Sequence, residues 1–87
     1  ISHVGWNNLN ISKKKNLFSD IMQNSDFYFV HSFAFKPTSS KVITSTISYN
    51  KKTIASSVES GSIFGVQFHP EKSHKNGIKI LKNFCKL

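Results

Sequence analysis

The sequence has 87 residues, which is one domain at most, and a domain of that size buries only a modest core. Its formal charge is +8, yet every basic residue is a lysine. Arginine, the residue best suited to bidentate hydrogen bonds with phosphates and base edges, is absent. The composition therefore argues against a nucleic-acid-binding protein but does not exclude one.

The start of the chain and its cysteine content predict a compartment. Ile1, not methionine, stands first, which indicates a fragment of a longer protein. Residues 1–10 lack the basic start and apolar run of a signal peptide, and no stretch is long enough to span a membrane. Cys85 is the one cysteine, so an internal disulfide is impossible. We therefore expect a cytoplasmic protein, with Cys85 as a small core residue.

The first part of the chain predicts a turn, a short strand and a little helix before a strong strand. Residues 5–8 are turn-like, and the alternation through residues 9–11 predicts a short strand. Residues 16–22 favour one or two helical turns. Residues 26–35 are aromatic and β-branched on both faces, which predicts a buried strand that Pro37 ends.

The second part predicts hairpins and a terminal helix. Strands are expected at residues 41–49, 53–59 and 63–68, with turns at residues 50–52 and 60–61, and the last strand looks the most buried. A helix is expected from about residue 73 to residue 87. Its predicted buried face consists of Ile78, Leu81, Phe84 and Cys85, and its solvated face of Lys75, Lys79, Lys82 and Lys86.

One glycine in that helix needs a reason. Gly77 costs about 1 kcal/mol relative to alanine inside a helix, so we expect close packing there. Several strands followed by a terminal helix indicate the back half of an α/β domain.

The most informative stretch is the end of the last predicted strand, where a histidine and a glutamate follow at once. Pro70 fixes its own φ and biases His69 away from the helical region. Because residues two apart in extended chain point to the same side, we expect Glu71 to reach the His69 ring. An imidazole held by a carboxylate is the base and orienting group of nucleophilic catalysis. A bare pair of this kind is also typical of a surface histidine beside a solvated glutamate.

The complete string Gly-Val-Gln-Phe-His-Pro-Glu, residues 65–71, resembles the C-terminal signature of triad-type (class I) glutamine amidotransferases. Residues 3–7 (His-Val-Gly-Trp-Asn) and 27–33 (Phe-Tyr-Phe-Val-His-Ser-Phe) resemble the glutaminase-subunit branch of imidazole glycerol phosphate synthase. The three segments follow the order and rough spacing of that branch. The resemblance implies that residues 1–87 are the C-terminal portion of one flavodoxin-like α/β domain, without the half that carries the nucleophilic cysteine.

The resemblance also implies a reaction. In this family a cysteine attacks the side-chain amide of glutamine. A thioester forms as ammonia leaves, and water then hydrolyses the thioester to release glutamate. His69 matches the catalytic histidine and Glu71 its partner, whereas Cys85 does not match the nucleophile, so this stretch alone is expected to be inactive. Ser32 and Phe33 match positions that hold glutamine, largely through their backbones. Phe33 stands where the branch more commonly has tyrosine. The alternative to glutamine binding by Ser32 is that Ser32 is an ordinary strand residue.

Further matches concern a partner. Trp6, Asn7, Tyr28 and Lys72 match residues that face a synthase/cyclase barrel subunit (HisF-like) in a heterodimer, across which ammonia passes without meeting bulk water. An exposed Trp6 would suit such an interface, because aromatic side chains are typical interface anchors. The alternative is that Trp6 fills space in the core. His31 also matches the family, but a histidine on an apolar strand is more often a core residue. No cofactor is implied, and the histidines lack metal-ligand spacing.

Several functions remain open at this point. The first is a glutaminase subunit in histidine biosynthesis. Similar subunits supply ammonia to a sugar in surface-polysaccharide pathways, and the motifs do not separate the two destinations. A non-catalytic binding module that lost its nucleophile, and a small basic nucleic-acid binder, are the other classes. A Gly-x-Cys-x-Gly type of elbow elsewhere in the protein would favour the enzyme.

Overall fold

The computed structural model describes residues 3–31 and 36–87, and the side chain of His31 is not among the groups it describes. Ser32 and Phe33, the predicted glutamine-contacting residues, therefore lie outside the described residues.

The described strands form two antiparallel sheets. In chain order the strands are β1 (His3–Asn8), β2 (Asn10–Ile11), β3 (Asp26–His31), β4 (Ile43–Tyr49), β5 (Lys52–Ser60) and β6 (Ile63–Val66). Strand β1 pairs with β3 in one sheet, and a four-stranded sheet has the order β2, β4, β5, β6. A single α-helix among the described residues, α1, spans His74–Cys85, and short 3₁₀ turns lie at Asn16–Phe18, Ser40–Val42 and Pro70–Lys72. None of these described helices has the length and apolar character needed to cross a membrane.

The beginning of the chain is a strand where a turn was expected. Residues 5–8 lie within β1, whose backbone stays in register with β3 so that Trp6 faces Tyr28. Gly5 has a φ of 133°, a backbone conformation that glycine adopts readily, and the pairing continues through it. The expected turn was wrong because pairing with the aromatic strand β3 overrides the local turn signal.

The two predicted hairpin turns are present, the first one residue shorter than expected and the second one residue later. Strands β4 and β5 are joined by Asn50 and Lys51, whose φ values of 51° and 62° are both positive. Two positive values give a turn whose twist matches that of the flanking strands. Strands β5 and β6 are joined by Gly61, with a φ of 60°, and Ser62.

Aromatic rings from β3 and from the segment after β6 form the centre of the core. Phe27 and Phe29 are fully buried, and the ring of Phe68 lies 4.5 Å from the first and 6.0 Å from the second, centroid to centroid. Phe18 approaches Phe68 from the 3₁₀ turn, at 6.4 Å. The remaining buried apolar side chains of this cluster are Leu9, Ile11, Leu17, Ile21, Ile47 and Ile80.

Strand β6 is not the most buried strand, contrary to the expectation. Ile63 is largely exposed and the rest of the strand is only half-buried. Within the expected strand 63–68, Phe68 alone is buried, and it lies beyond the end of β6. Strand β6 is the last strand of the described sheet, so it has a neighbour on one side among the described residues.

Helix α1 packs against the core through a different face from the one predicted. Gly77 and Ile80 are buried, and the Asn83 amide donates to the carbonyls of Leu17 and Ser19, at 2.8 Å each. The predicted buried residues are instead exposed: Ile78, Leu81, Phe84 and Cys85. The expectation of Cys85 as a core residue was therefore wrong for the described core. The lysine face is exposed as predicted.

Candidate active site

His69 leaves the core on a backbone that is fixed from two sides. Phe68, immediately before it, is anchored among the core rings. The His69 N–H donates to the carbonyl oxygen of Tyr28 in β3, at 2.9 Å. The His69 backbone is extended, with φ −103° and ψ 99°, as expected before a proline. The backbone from which the His69 ring projects is therefore fixed, at the edge of the core.

The Glu71 carboxylate contacts the His69 ring, as predicted. Its Oε2 lies 3.0 Å from Nδ1 of His69. The route to that contact differs from the expected one, because Pro70–Lys72 forms a 3₁₀ turn and not extended chain. Proline suits the first position of such a turn, since its fixed φ fits and its missing N–H is not needed. The turn, and not strand alternation, brings the carboxylate back to the ring.

Both side chains of the pair are partly exposed, at 37% for His69 and 60% for Glu71. The hydrogen bond from His69 lowers the pKa of Glu71 below its ordinary value, and a backbone hydrogen bond and the charges of His69 and Lys72 act in the same direction. The carboxylate is thus held ionised and accepts from an Nδ1–H. In the neutral ring that tautomer leaves Nε2, which faces away from Glu71, as a proton acceptor. The pair has the form of a general base with its orienting group.

Ser73 is a residue of this region that the sequence analysis missed. It stands at the N-terminal boundary of α1, where a serine is expected to cap the helix, but its hydroxyl makes no capping bond. The hydroxyl instead accepts from the N–H of Tyr28, at 3.0 Å, and donates to the carbonyl of His69, at 2.6 Å. The only sequence signal for Ser73 is its position at the start of the helix, and a serine there is typical of a helix cap.

Trp6 and Tyr28 lie together on the exposed face of the two-stranded sheet. Their ring centroids are 5.6 Å apart with an edge-to-face tilt of 67°. Trp6 is 45% exposed, so it does not fill the core. His74, also missed in the sequence, stacks on the Trp6 ring at 5.2 Å and 11°. The aromatic face formed by Trp6, Tyr28 and His74 thus lies at the surface of the described residues.

The other two residues predicted to face a partner lie differently. Lys72 is exposed on the turn that carries Glu71. Asn7 follows Trp6 in β1, and successive strand residues point to opposite faces. Its amide donates to the carbonyl of Ser48 in β4, at 3.1 Å. The structure therefore brings Trp6 and Tyr28 together and turns Asn7 toward the second sheet.

Comparison with known proteins places the chain in a family. The family model described as "Glutamine amidotransferase class-I" matches residues 1–87. The chain belongs to the class-I glutamine amidotransferase family. This membership confirms the resemblance found in residues 65–71 and the α/β fold class expected from it.

Individual relatives of this amidotransferase chain carry a more specific name. It is 48% identical over 87 residues to "Imidazole glycerol phosphate synthase subunit HisH" of Pelagibacter ubique, covering 100% of this chain and 41% of the relative. The subunits of the same name from Moorella thermoacetica and Pyrococcus furiosus are 44% and 47% identical, covering 100% and 98% of this chain and 41% and 44% of the relatives. The chain spans about two fifths of the length of the curated relatives it matches.

Proposed function

We propose that the protein is the glutaminase subunit of an imidazole glycerol phosphate synthase. It would hydrolyse glutamine to glutamate and ammonia and pass the ammonia to a synthase/cyclase barrel subunit in histidine biosynthesis. The observation that carries the proposal is the 3.0 Å contact between Nδ1 of His69 and Oε2 of Glu71. It occurs inside the segment that resembles the family signature, in a chain similar to HisH subunits over its length.

In the proposed reaction His69 moves protons and Glu71 holds it in place. A cysteine thiol from the rest of the domain gives its proton to Nε2 of His69 and attacks the amide carbon of glutamine. The protonated ring returns that proton to the leaving nitrogen, so that ammonia departs and a thioester remains. A water molecule then attacks the thioester, with His69 taking its proton and returning it to the departing thiolate. Glu71 keeps Nδ1 protonated and stabilises the ring while it is charged.

We also propose that residues 1–87 are the C-terminal portion of a single domain whose other part supplies that thiol. The support is an apolar stripe on α1, formed by Ile78, Leu81 and Cys85, which recur at steps of three and four and are exposed. An exposed apolar stripe next to the buried face of the same helix is normally covered by another structural element. Because the chain spans 41% of the length of the Pelagibacter relative, the remaining part of such a domain is long enough to cover it.

The proposed contact with the barrel subunit uses the aromatic face. Trp6 and Tyr28 offer large apolar surface with polar tips, which is the composition typical of interface anchors. Lys72 lies exposed on the same turn as Glu71, so a partner that contacts it would sit beside the His69–Glu71 pair. This arrangement supports a short ammonia path between the two subunits. The binding of glutamine by Ser32 and Phe33, and a role for Asn7, remain proposals from the family resemblance.

The test uses the intact protein purified together with its barrel subunit. His69→Ala should reduce glutamine-dependent product formation by about 10³-fold or more, because the base is lost. Product formation from added ammonia should stay unchanged, because it bypasses the glutaminase step. Glu71→Gln should also reduce glutamine turnover, whereas Glu59→Gln should not, because Glu59 lies in β5 and accepts from Asn16. Unchanged glutamine turnover in His69→Ala would contradict the proposal.

The same assay separates the remaining alternatives. Glutamine hydrolysis that delivers ammonia to a sugar acceptor, and not to the imidazole product, would keep the activity and overturn the pathway. A complex that assembles but never hydrolyses glutamine would indicate a binding module without catalysis.

A further inference from the structure

We propose that Ser73 is a positioning residue for the His69–Glu71 pair, an inference that rests on the proposed glutaminase function. The side chains of His69 and Glu71 both project from the turn that precedes α1. The Ser73 hydroxyl connects this turn to strand β3 and so fixes the position of the imidazole relative to the carboxylate.

A closed set of hydrogen bonds joins the turn after His69 to strand β3. The N–H of His69 donates to the carbonyl of Tyr28, at 2.9 Å. The N–H of Tyr28 donates to the Ser73 hydroxyl, at 3.0 Å, and that hydroxyl donates to the carbonyl of His69, at 2.6 Å. The backbone N–H and C=O of His69 and of Tyr28 are therefore all used in one ring of contacts. A single side-chain hydroxyl closes this ring.

Burial makes that hydroxyl hard to replace. Ser73 is 1% exposed, so water does not readily take the place of its oxygen. Removing the hydroxyl leaves the Tyr28 N–H without this acceptor, and an unpaired buried donor is costly enough to make the neighbouring backbone move. The backbone that moves is the turn from residue 69 to residue 73. Since His69 and Glu71 both project from this turn, the distance between Nδ1 and Oε2 changes with it.

The alternative of an ordinary helix cap does not describe Ser73. A capping serine accepts from an N–H two or three residues later, and Ser73 makes no such side-chain bond. The bond from the Gly77 N–H goes to the backbone carbonyl of Ser73, at 3.2 Å, which any residue would offer. The hydroxyl therefore serves the contact between the turn and β3 and not the start of α1.

The experiment compares Ser73→Ala with Ser56→Ala in the intact protein bound to its barrel subunit. Ser56 is also fully buried and its hydroxyl is 2.6 Å from that of Ser45, but it lies in the four-stranded sheet. For each variant one measures kcat and KM for glutamine, the unfolding midpoint, and the ¹⁵N and ¹H resonances of the His69 ring. These resonances report the Nδ1–H tautomer and its hydrogen bond to Glu71.

For Ser73→Ala we expect kcat to fall by roughly tenfold to a hundredfold, with KM little changed, because a misplaced base slows chemistry more than binding. The Nδ1–H resonance should shift or broaden. For Ser56→Ala we expect a lower unfolding midpoint with kcat and the ring resonances unchanged. If Ser73→Ala fails to fold, Ser73→Cys is used, whose longer, weaker donor should give a smaller fall in kcat and a displaced Nδ1–H resonance.

Two results would overturn the inference. One is a Ser73 variant with wild-type kcat and an unmoved Nδ1–H resonance. The other is an equal loss of kcat in Ser56→Ala, which would show an effect of stability alone. A wild-type complex without glutaminase activity would overturn the proposed function instead, and the ring resonances would still decide whether Ser73 positions His69.

Discussion

A β-carbon added to Gly77 would lie 1.8 Å from the carbonyl oxygen of Pro70. Helix α1 thus approaches the turn that carries Glu71 more closely than any residue with a side chain allows. The close packing expected from a glycine in the helical pattern is confirmed. The glycine serves the contact between helix and turn, and this contact outweighs its poor helix propensity.

Gly77→Ala should destabilise the intact protein by about 1–3 kcal/mol, although alanine is the better helix former, because the new atom meets backbone that cannot move aside alone. It should also lower the proposed glutamine turnover, because the turn that carries Glu71 must shift. Gly65→Ala is the matched control, because its β-carbon would meet only the Val58 side chain, at 3.2 Å. Chemical denaturation and a glutaminase assay measure both effects. A Gly77→Ala variant as stable as the wild type would contradict the argument.

Phe68→Ala should destabilise the intact protein by about 3–5 kcal/mol, because it leaves a cavity where three other rings meet. Phe84→Ala is the control, since Phe84 contacts Phe64 from an exposed position and should cost much less. The free energies of unfolding come from denaturant titrations of both variants. Equal losses for the two would show that Phe68 does not anchor the segment before His69.

The pH dependence of the pair follows from Glu71. The pKa of Glu71 is lowered from the ordinary 4.5. The hydrogen bond from His69 is the largest cause of this lowering, and the charge of Lys72 is the smallest. The ionised Glu71 carboxylate therefore stabilises the fold above pH 4.5, and this contribution is lost as the pH falls through the lowered pKa. The contribution is small, because the carboxylate is exposed.

We expect His69→Ala to raise the pKa of Glu71 back toward 4.5, and Lys72→Ala to raise it less. The carboxyl ¹³C resonance of Glu71, followed against pH in each variant, measures both values. A larger change in Lys72→Ala than in His69→Ala would show that charge, and not the hydrogen bond, governs the carboxylate.

Local patterns predicted the parts of the fold that depend on local chemistry. The turn at Asn50 and Lys51 and the strands on either side of it follow from residue types that are adjacent in sequence. The His69–Glu71 contact was also predictable, because both residues lie in one short segment that the proline constrains. The expected geometry was wrong there, since a 3₁₀ turn and an extended chain can both bring residues two apart together.

The missed features depend on residues far apart in the chain. Strand β1 exists because β3 pairs with it, and nothing in residues 5–8 alone shows that partner. The Ser73 hydroxyl bonds to Tyr28, 45 residues away, so its role appears only when the chain is folded. The buried face of α1 was misjudged for a related reason. The apolar sector of the helix is wide, and periodicity does not say which part of it the described core covers.

The uncovered part of that sector gives the last prediction. Leu81 is about half exposed on α1, and Lys82 beside it lies on the solvated face. If the rest of the domain covers the apolar stripe, Leu81→Asp buries an unpaired charge in the intact protein and should lower its free energy of unfolding by several kcal/mol, about 3 or more. Lys82→Asp introduces the same side chain one position along and should change stability by less than about 0.5 kcal/mol. Denaturant titration of the two variants decides between them. Equal, small effects would mean that the stripe stays in solvent, and the proposed nucleophile would then have to reach His69 without a domain half packed on α1.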